Sequence, residues 1–264
     1  MSKIRIGCQT ITWGDDRNKT EPEKVLQDIS RAGYEGVETG AHRLEFEGVG
    51  KFKKLLKANN LTLAALHTGI GEELFKEKDN KEILSKMRGV IELSLELGVK
   101  YLLVSGFRKE NKTDEDYSLE ADLLNEFGRN CFQEGIIACY HNHGWEIEKD
   151  GEELRKICDL TDPKYLSLAL DIGWVAKAGG DPKTFLINYF NRVKYLHLRD
   201  IKGEEFVELG KGTIEYPAIF QELKKRNFRG WAVVEIAKSG EEMVQDPFHS
   251  VSISRNYLRE RIGI

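Results

Sequence analysis

Eight short apolar runs recur along the chain at nearly even intervals, each separated from the next by a longer amphipathic stretch, and few folds can absorb that alternation. The runs are Ile4–Thr10, Gly36–Thr39, Leu61–Thr68, Tyr101–Ser105, Ile136–Asn142, Leu166–Asp171, Val193–His197 and Trp231–Ile236. Several are apolar almost without a break, as in Leu-Thr-Leu-Ala-Ala-Leu and Leu-Ser-Leu-Ala-Leu. A strand wetted on one face alternates apolar and polar side chains. An unbroken apolar run suits a strand covered on both faces, as parallel sheets require.

The intervening stretches carry helix signals. Pro22–Ala32 opens on proline and stops at Gly33, and Pro182–Tyr189 and Pro217–Lys225 also open on proline. Lys81–Leu97 lines Ile83, Met87, Val90, Ile91, Ser94 and Leu97 along one face and ends at Gly98. Strict strand–helix alternation predicts an α/β fold with right-handed crossovers. The runs end near residues 10, 38, 67, 105, 141, 171, 197 and 235. Units of about 32 residues suit a single parallel eight-stranded (β/α)₈ TIM barrel. A doubly wound open sheet would place a glycine-rich phosphate loop after its first strand, and Gln9-Thr-Ile-Thr-Trp-Gly-Asp-Asp is not one. No linker or low-complexity tract divides the chain, so residues 1–264 are expected to form one domain.

Charge narrows the partners. With 40 Lys and Arg against 44 Asp and Glu, and no basic run, nothing attracts a nucleic-acid backbone. No segment approaches about 18 continuous apolar residues, and the first residues lead straight into a strand, so no membrane partner and a cytoplasmic location are expected. The four cysteines, Cys8, Cys131, Cys139 and Cys158, form no CxxC pair and are expected to be buried, reduced thiols.

In a barrel of this kind the site forms where strands end, so polar residues closing apolar runs are the informative ones. They are Gln9, Glu38, His67, Ser105, His141 with Asn142 and His143, Asp171, His197 with Asp200, and Glu235. A lone carboxylate there is ordinarily a helix cap. Asp171, His197 and Glu235, however, close the neighbouring sixth, seventh and eighth runs and would project into one pocket. Together they supply nitrogen and oxygen ligands for Mn²⁺, Co²⁺, Zn²⁺ or Mg²⁺.

Leu170-Asp-Ile-Gly-Trp-Val-Ala-Lys-Ala-Gly-Gly-Asp-Pro182 and Arg192-Val-Lys-Tyr-Leu-His-Leu-Arg-Asp200 resemble the xylose-isomerase-like TIM barrels, which include sugar isomerases, epimerases and inosose dehydratases. Their pattern there is Asp-x-x-Trp, Ala-Gly-x-Asp-Pro, and Arg followed by His-x-Lys-Asp. Tyr140-His-Asn-His-Gly-Trp-Glu-Ile, Gly210-Lys-Gly-Thr-Ile-Glu-Tyr-Pro217 and Val234-Glu235 are similar to further family segments. The resemblance implies a divalent ion held by Glu, Asp, His and Glu from strands five to eight. Asp171, His197 and Glu235 match three of these, and His141 stands where the first glutamate is usual. His141 is either a ligand, which leans the set toward Mn²⁺, Co²⁺ or Zn²⁺ over Mg²⁺, or an acid/base or substrate contact. Arg199 replaces the family's lysine and keeps charge but not a tunable pKa. Thr12-Trp-Gly-Asp-Asp16 resembles the inosose dehydratase branch, whereas Ile-Gly-Trp after Asp171 does not.

The resemblance implies a small sugar or polyol substrate and a metal-dependent isomerase or epimerase working through an enediolate of a keto sugar. Keto-inositol dehydration and a non-catalytic ligand-binding barrel are the alternatives. An endonuclease-like phosphodiesterase would want more histidines and a basic face. Glu235 is the candidate ligand and proximal base, with His67, His143 and Glu146 as candidate partners. Gln9, Trp13, Glu38, Asn142, Trp174, Arg199 and Lys202 are candidate substrate contacts, Glu38 as an orienting group for substrate hydroxyls or a neighbouring side chain. Trp13, Trp145 and Trp174 are candidates for an apolar wall. The C-terminal helix Pro247–Ile262 is expected to be exposed and available to a second copy in a homo-oligomer.

Overall fold

The structure, a computed structural model, describes residues 4–44, 48–72, 74–75, 81–236 and 246–264. Eight parallel strands close into a barrel as predicted. They are β1 (Ile4–Gln9), β2 (Gly36–Gly40), β3 (Thr62–Gly69), β4 (Tyr101–Ser105), β5 (Ile137–His141), β6 (Leu166–Asp171), β7 (Val193–Leu198) and β10 (Gly230–Val234). β10 pairs with β7 on one side and with β1 on the other, which closes the sheet and removes its edges. Between β7 and β10 lies an antiparallel ribbon, β8 (Asp200–Lys202) and β9 (Glu205–Val207), turning at Gly203. Strands of three residues leave no periodic signal, and the sequence reading contains no trace of them.

The helices Pro22–Ala32, Lys81–Leu97 and Pro182–Tyr189 have the predicted bounds, and Tyr216–Lys225 starts one residue early. Gly33 is left-handed at φ 89° and donates its N–H to the carbonyls of Ile29 and Ser30, which ends the first of these. The C-terminal helix, Pro247–Tyr257, continues as a wider turn through Leu258–Ile262. Its inner face is packed: Val251, Ser254 and Leu258 are buried. The Tyr34 hydroxyl donates to the Val251 carbonyl at 2.7 Å, and Arg255 donates to the Gly33 carbonyl at 2.9 Å. This helix is the last of the ring and covers the seam between β10 and β1 with that face, while His249, Asn256 and Glu260 lie exposed. Among the described residues no helix is long and apolar enough to cross a membrane.

The core has two shells. One lies between strands and helices. The other fills the barrel interior with Ala65, Leu103, Cys139, Ala169, Tyr195, Trp231 and Val233. All four cysteines are free thiols, and Cys8, Cys131 and Cys139 are buried. Trp231 fits inside because Gly36 has no side chain: a Cβ there would lie 2.4 Å from Trp231 Cη2 and 2.9 Å from the Thr62 carbonyl. Gly36→Ala is therefore expected to cost about 1–3 kcal/mol through overpacking. A urea denaturation midpoint equal to that of the parent would show that the Trp231 ring yields freely.

Candidate metal centre

Side chains two residues apart on a strand face the same way, so the interior shell predicts what stands above it. Ala65, Leu103, Cys139, Ala169, Tyr195 and Val233 are followed at that interval by His67, Ser105, His141, Asp171, His197 and Glu235. Glu38 stands likewise above Gly36. All seven polar groups thus point into the top of the barrel, where active sites of this fold form. Register brings Asp171 beside His197 and Ser105 beside His141. Shifts in register at Val37/Glu38 and at Leu168/Ala169 set the heights of β2 and β6 against their neighbours.

His141, Asp171, His197 and Glu235 each offer one ligand atom, and the four atoms lie within 4.8 Å of one another. His141 Nε2 is 3.5 Å from Asp171 Oδ2, and His197 Nδ1 is 2.7 Å from Glu235 Oε2 and 3.9 Å from Asp171 Oδ2. These same four atoms, His141 Nε2, Asp171 Oδ2, His197 Nδ1 and Glu235 Oε2, are buried without a hydrogen-bond partner. Buried polar atoms held by charge contacts alone are costly, and four facing one another fit a cation. The opposite edge of each group is spoken for. Asp171 Oδ1 accepts from the Trp174 N–H at 2.8 Å, so this aspartate caps the helix Ile172–Lys177 while its other oxygen faces the donors. His197 Nε2 lies 2.8 Å from Glu38 Oε2, the carboxylate–histidine arrangement that orients a metal-binding imidazole.

Glu38, fully buried, is a hub. It accepts from the Tyr195 hydroxyl at 2.8 Å and faces His67 Nδ1 at 3.2 Å as well as His197. Burial pushes its carboxyl up, but His197 and His67 outweigh that and hold it at about 2. Burial pushes His197 down, and Glu38 and Glu235 outweigh it to raise the ring to about 10. His67 Nε2 lies 2.8 Å from Ser105 Oγ, which lies 3.4 Å from His141 Nδ1. Among the roles foreseen for Glu38, orientation of neighbouring side chains is the one its contacts carry.

Arg199 reaches both carboxylates of the centre, 2.8 Å from Asp171 Oδ2 and in contact with Glu235 Oε1. Its guanidinium lies 4.7 Å from the Phe206 ring and 5.7 Å from the Trp174 ring, and those rings meet edge to face at 4.8 Å. Phe206 comes from the ribbon and has no counterpart in the sequence reading. His143 stacks on Trp145 at 4.2 Å and lies 5.8 Å from Trp174, beside His141 at 4.8 Å. Burial and the neighbouring His141 push it down to about 2, so it is a neutral imidazole.

Several foreseen residues lie around the four donors, and others away from them. Glu146 is fully buried and accepts from the Tyr140 hydroxyl at 2.9 Å and the His143 N–H at 2.8 Å. Its carboxyl, pushed up to about 8 by burial, braces the His143 backbone instead of facing the donors. Asn142 accepts from the Asp171 N–H at 2.9 Å and so pins that strand end. Trp13 is packed in the outer core, and Lys202 is exposed on the ribbon opposite Glu205. Gln9 accepts from the Ile11 N–H at 2.7 Å and, with His67, Ser105, Val90 and Leu93, lines a cavity of about 710 Å³. Asp200 accepts four backbone N–H bonds, from Ile201, Gly210, Gly212 and Ile214, at 2.9–3.1 Å. A Cβ at Gly212 would lie 2.3 Å from its Oδ1, so glycine is what allows that approach.

Residues 26–260 match a family described as xylose isomerase-like TIM barrel. An inosose dehydratase of Clostridium beijerinckii is 25% identical over 301 residues, spanning 99% of this chain and 98% of its own. A sugar phosphate isomerase/epimerase from Parabacteroides distasonis superposes with a TM-score of 0.81 at 23% identity, covering 98% of this chain and 94% of its own. D-allulose 3-epimerase from Methylomonas sp. in complex with D-allulose superposes at 0.80 with 16% identity, covering 99% and 98%. The likeness to these two structures is one of fold.

Proposed function

The chain belongs to the xylose isomerase-like TIM-barrel family, and from that premise we propose that it is a divalent-metal-dependent dehydratase of a keto-polyol or keto sugar. The observation that carries this is the set of four buried donor atoms on His141, Asp171, His197 and Glu235 that converge within 4.8 Å without a hydrogen bond. Two imidazoles and two carboxylates suit Mn²⁺, Co²⁺ or Zn²⁺ better than Mg²⁺. A divalent ion held there polarises a substrate carbonyl and acidifies the adjacent C–H.

The protein supplies the rest. Glu235 is held well below the usual carboxylate range, burial being outweighed by Arg199 and His197, so it is ionised and has a vacant site for a proton. It takes the proton from the carbon beside the carbonyl. A C=C bond forms as the C–O bond to the next carbon breaks, and the Glu235 carboxyl returns the proton to the departing hydroxyl, which leaves as water. One acid/base carboxyl on one face of the ring suffices for that elimination. Arg199 offers a fixed positive charge to the oxyanion that develops, and Trp174 and Phe206 wall the pocket. The full-length likeness to an inosose dehydratase supports the same outcome.

Isomerisation or epimerisation, the first expectation from sequence, is the second reading. Epimerisation needs a second acid/base on the other face, and His143, with its Nδ1 buried and without a hydrogen bond, is the group that favours it. Incubation of metal-loaded protein with keto-inositols and ketoses in D₂O, followed by NMR, separates the readings. Dehydration gives a new vinylic signal and an enone absorbance, both lost in Glu235→Gln. Deuterium at the carbon without loss of water supports isomerisation. No exchange on any substrate, with metal bound, overturns catalysis in favour of a ligand-binding barrel.

A further inference from the structure

We infer that His67 and Ser105 form a proton-ordering relay through which Glu38 sets the tautomers of both imidazoles of the centre, His197 directly and His141 at a distance. The inference rests on the metal reading above only for its purpose, not for its geometry. His67 is then a positioning residue, not the second acid/base.

The order of protons follows by elimination. A carboxylate only accepts, so each nitrogen facing Glu38 must carry a proton. His197 Nε2 therefore holds its proton toward Glu38 Oε2 at 2.8 Å, which leaves Nδ1, facing Asp171 and Glu235, as the nitrogen that would give up its proton to a bound ion. His67 Nδ1 holds its proton toward Glu38 Oε1 at 3.2 Å, so its Nε2 is bare and accepts from the Ser105 hydroxyl at 2.8 Å. That uses the one hydroxyl proton of Ser105. Toward His141 Nδ1, 3.4 Å away, Ser105 can only accept. His141 thus carries its proton on Nδ1, and its bare Nε2 turns to Asp171 Oδ2. Two imidazoles on separate strands present opposite nitrogens to one point, and a single carboxylate accounts for both choices. Reversal of any link would put a proton on His141 Nε2, where a ligand lone pair is needed.

The relay separates positioning from proton transfer at His67. A glutamine there can donate its amide N–H to Glu38 and accept from Ser105 through its carbonyl oxygen, which preserves the order but carries no titratable proton. Long-range ¹⁵N–¹H NMR of imidazole-labelled protein, free of metal and loaded with Zn²⁺, reads the tautomers, and titration with Zn²⁺ reads affinity. The expected result in the parent is Nδ1–H for His141 with and without metal, and Nε2–H for His197 once Zn²⁺ is bound. His67→Gln retains this pattern and the affinity, whereas His67→Leu and Ser105→Ala lose about 10–100-fold in affinity and release His141 from the Nδ1–H form. Ser105→Thr restores both. A parent His141 in the Nε2–H form, or an unchanged tautomer and affinity in Ser105→Ala, overturns the relay. The expected His141 tautomer in a parent that binds no ion would leave the relay standing and remove the metal reading instead.

Discussion

Asp171→Asn combined with Glu235→Gln is expected to take the bound divalent ion from close to one per chain to none after dialysis. The double variant removes both negative ligands while leaving shape nearly unchanged, and Arg199 and the imidazoles then face one another without a counter-charge. The affinity loss should exceed the roughly 10–100-fold that follows loss of an outer hydrogen-bond partner. Elemental analysis of the dialysed protein, with circular dichroism to show that the barrel is intact, measures it. Full occupancy in a folded double variant would sink the assignment of the four donors.

The largest expected effect on stability lies away from the centre, at Lys112. Its ammonium is buried between Glu120 and Glu153, in contact with the first and 2.7 Å from the second. Burial pushes Glu120 up against the pull of Lys112. Lys112→Met leaves Glu120 without its partner, and breaking a buried ion pair from one side costs about 3–5 kcal/mol. The sign with pH follows from the direction of the Glu120 shift. A carboxyl raised in the folded state favours folding below its unfolded pKa and loses that contribution as pH rises through the folded one. The variant should therefore recover part of its loss on going from pH 7 toward pH 5. Urea midpoints at the two values test this, and an equal deficit at both would show that Glu120 is not the group left uncompensated.

The barrel was legible in the sequence because strands buried on both faces cannot hide: Leu166–Asp171 and Tyr101–Ser105 have the same bounds as apolar runs and as strands. The four clustered donor side chains were legible for the same reason, since a polar residue closing such a run has only one rim to occupy. What stayed hidden depends on relations between strands. Glu38 meets His197 across the barrel because register shifts at Val37/Glu38 and Leu168/Ala169, and no single run carries that information. Ser105 was visible as a polar strand end, but a hydroxyl announces no role until the two histidines beside it are known. Tyr195 could have been found by stepping two residues back from His197. Glu146 looked like a group for the pocket because it shares a motif with His143, and the loop after β5 turns its carboxylate inward to Tyr140. Phe206 had no signal to offer.

Three N–H groups of the loop from Gly210 to Ile214 close on Asp200 and give it a shape that owes nothing to an incoming molecule. Wherever a binding wall is loose, part of the attraction is spent on ordering it, and the spread of loose states blurs which molecule fits. Here that ordering is completed during folding, by a carboxylate already tethered to the end of β7. The loop from Gly210 to Ile214 is therefore held in one shape by the chain itself before any molecule arrives.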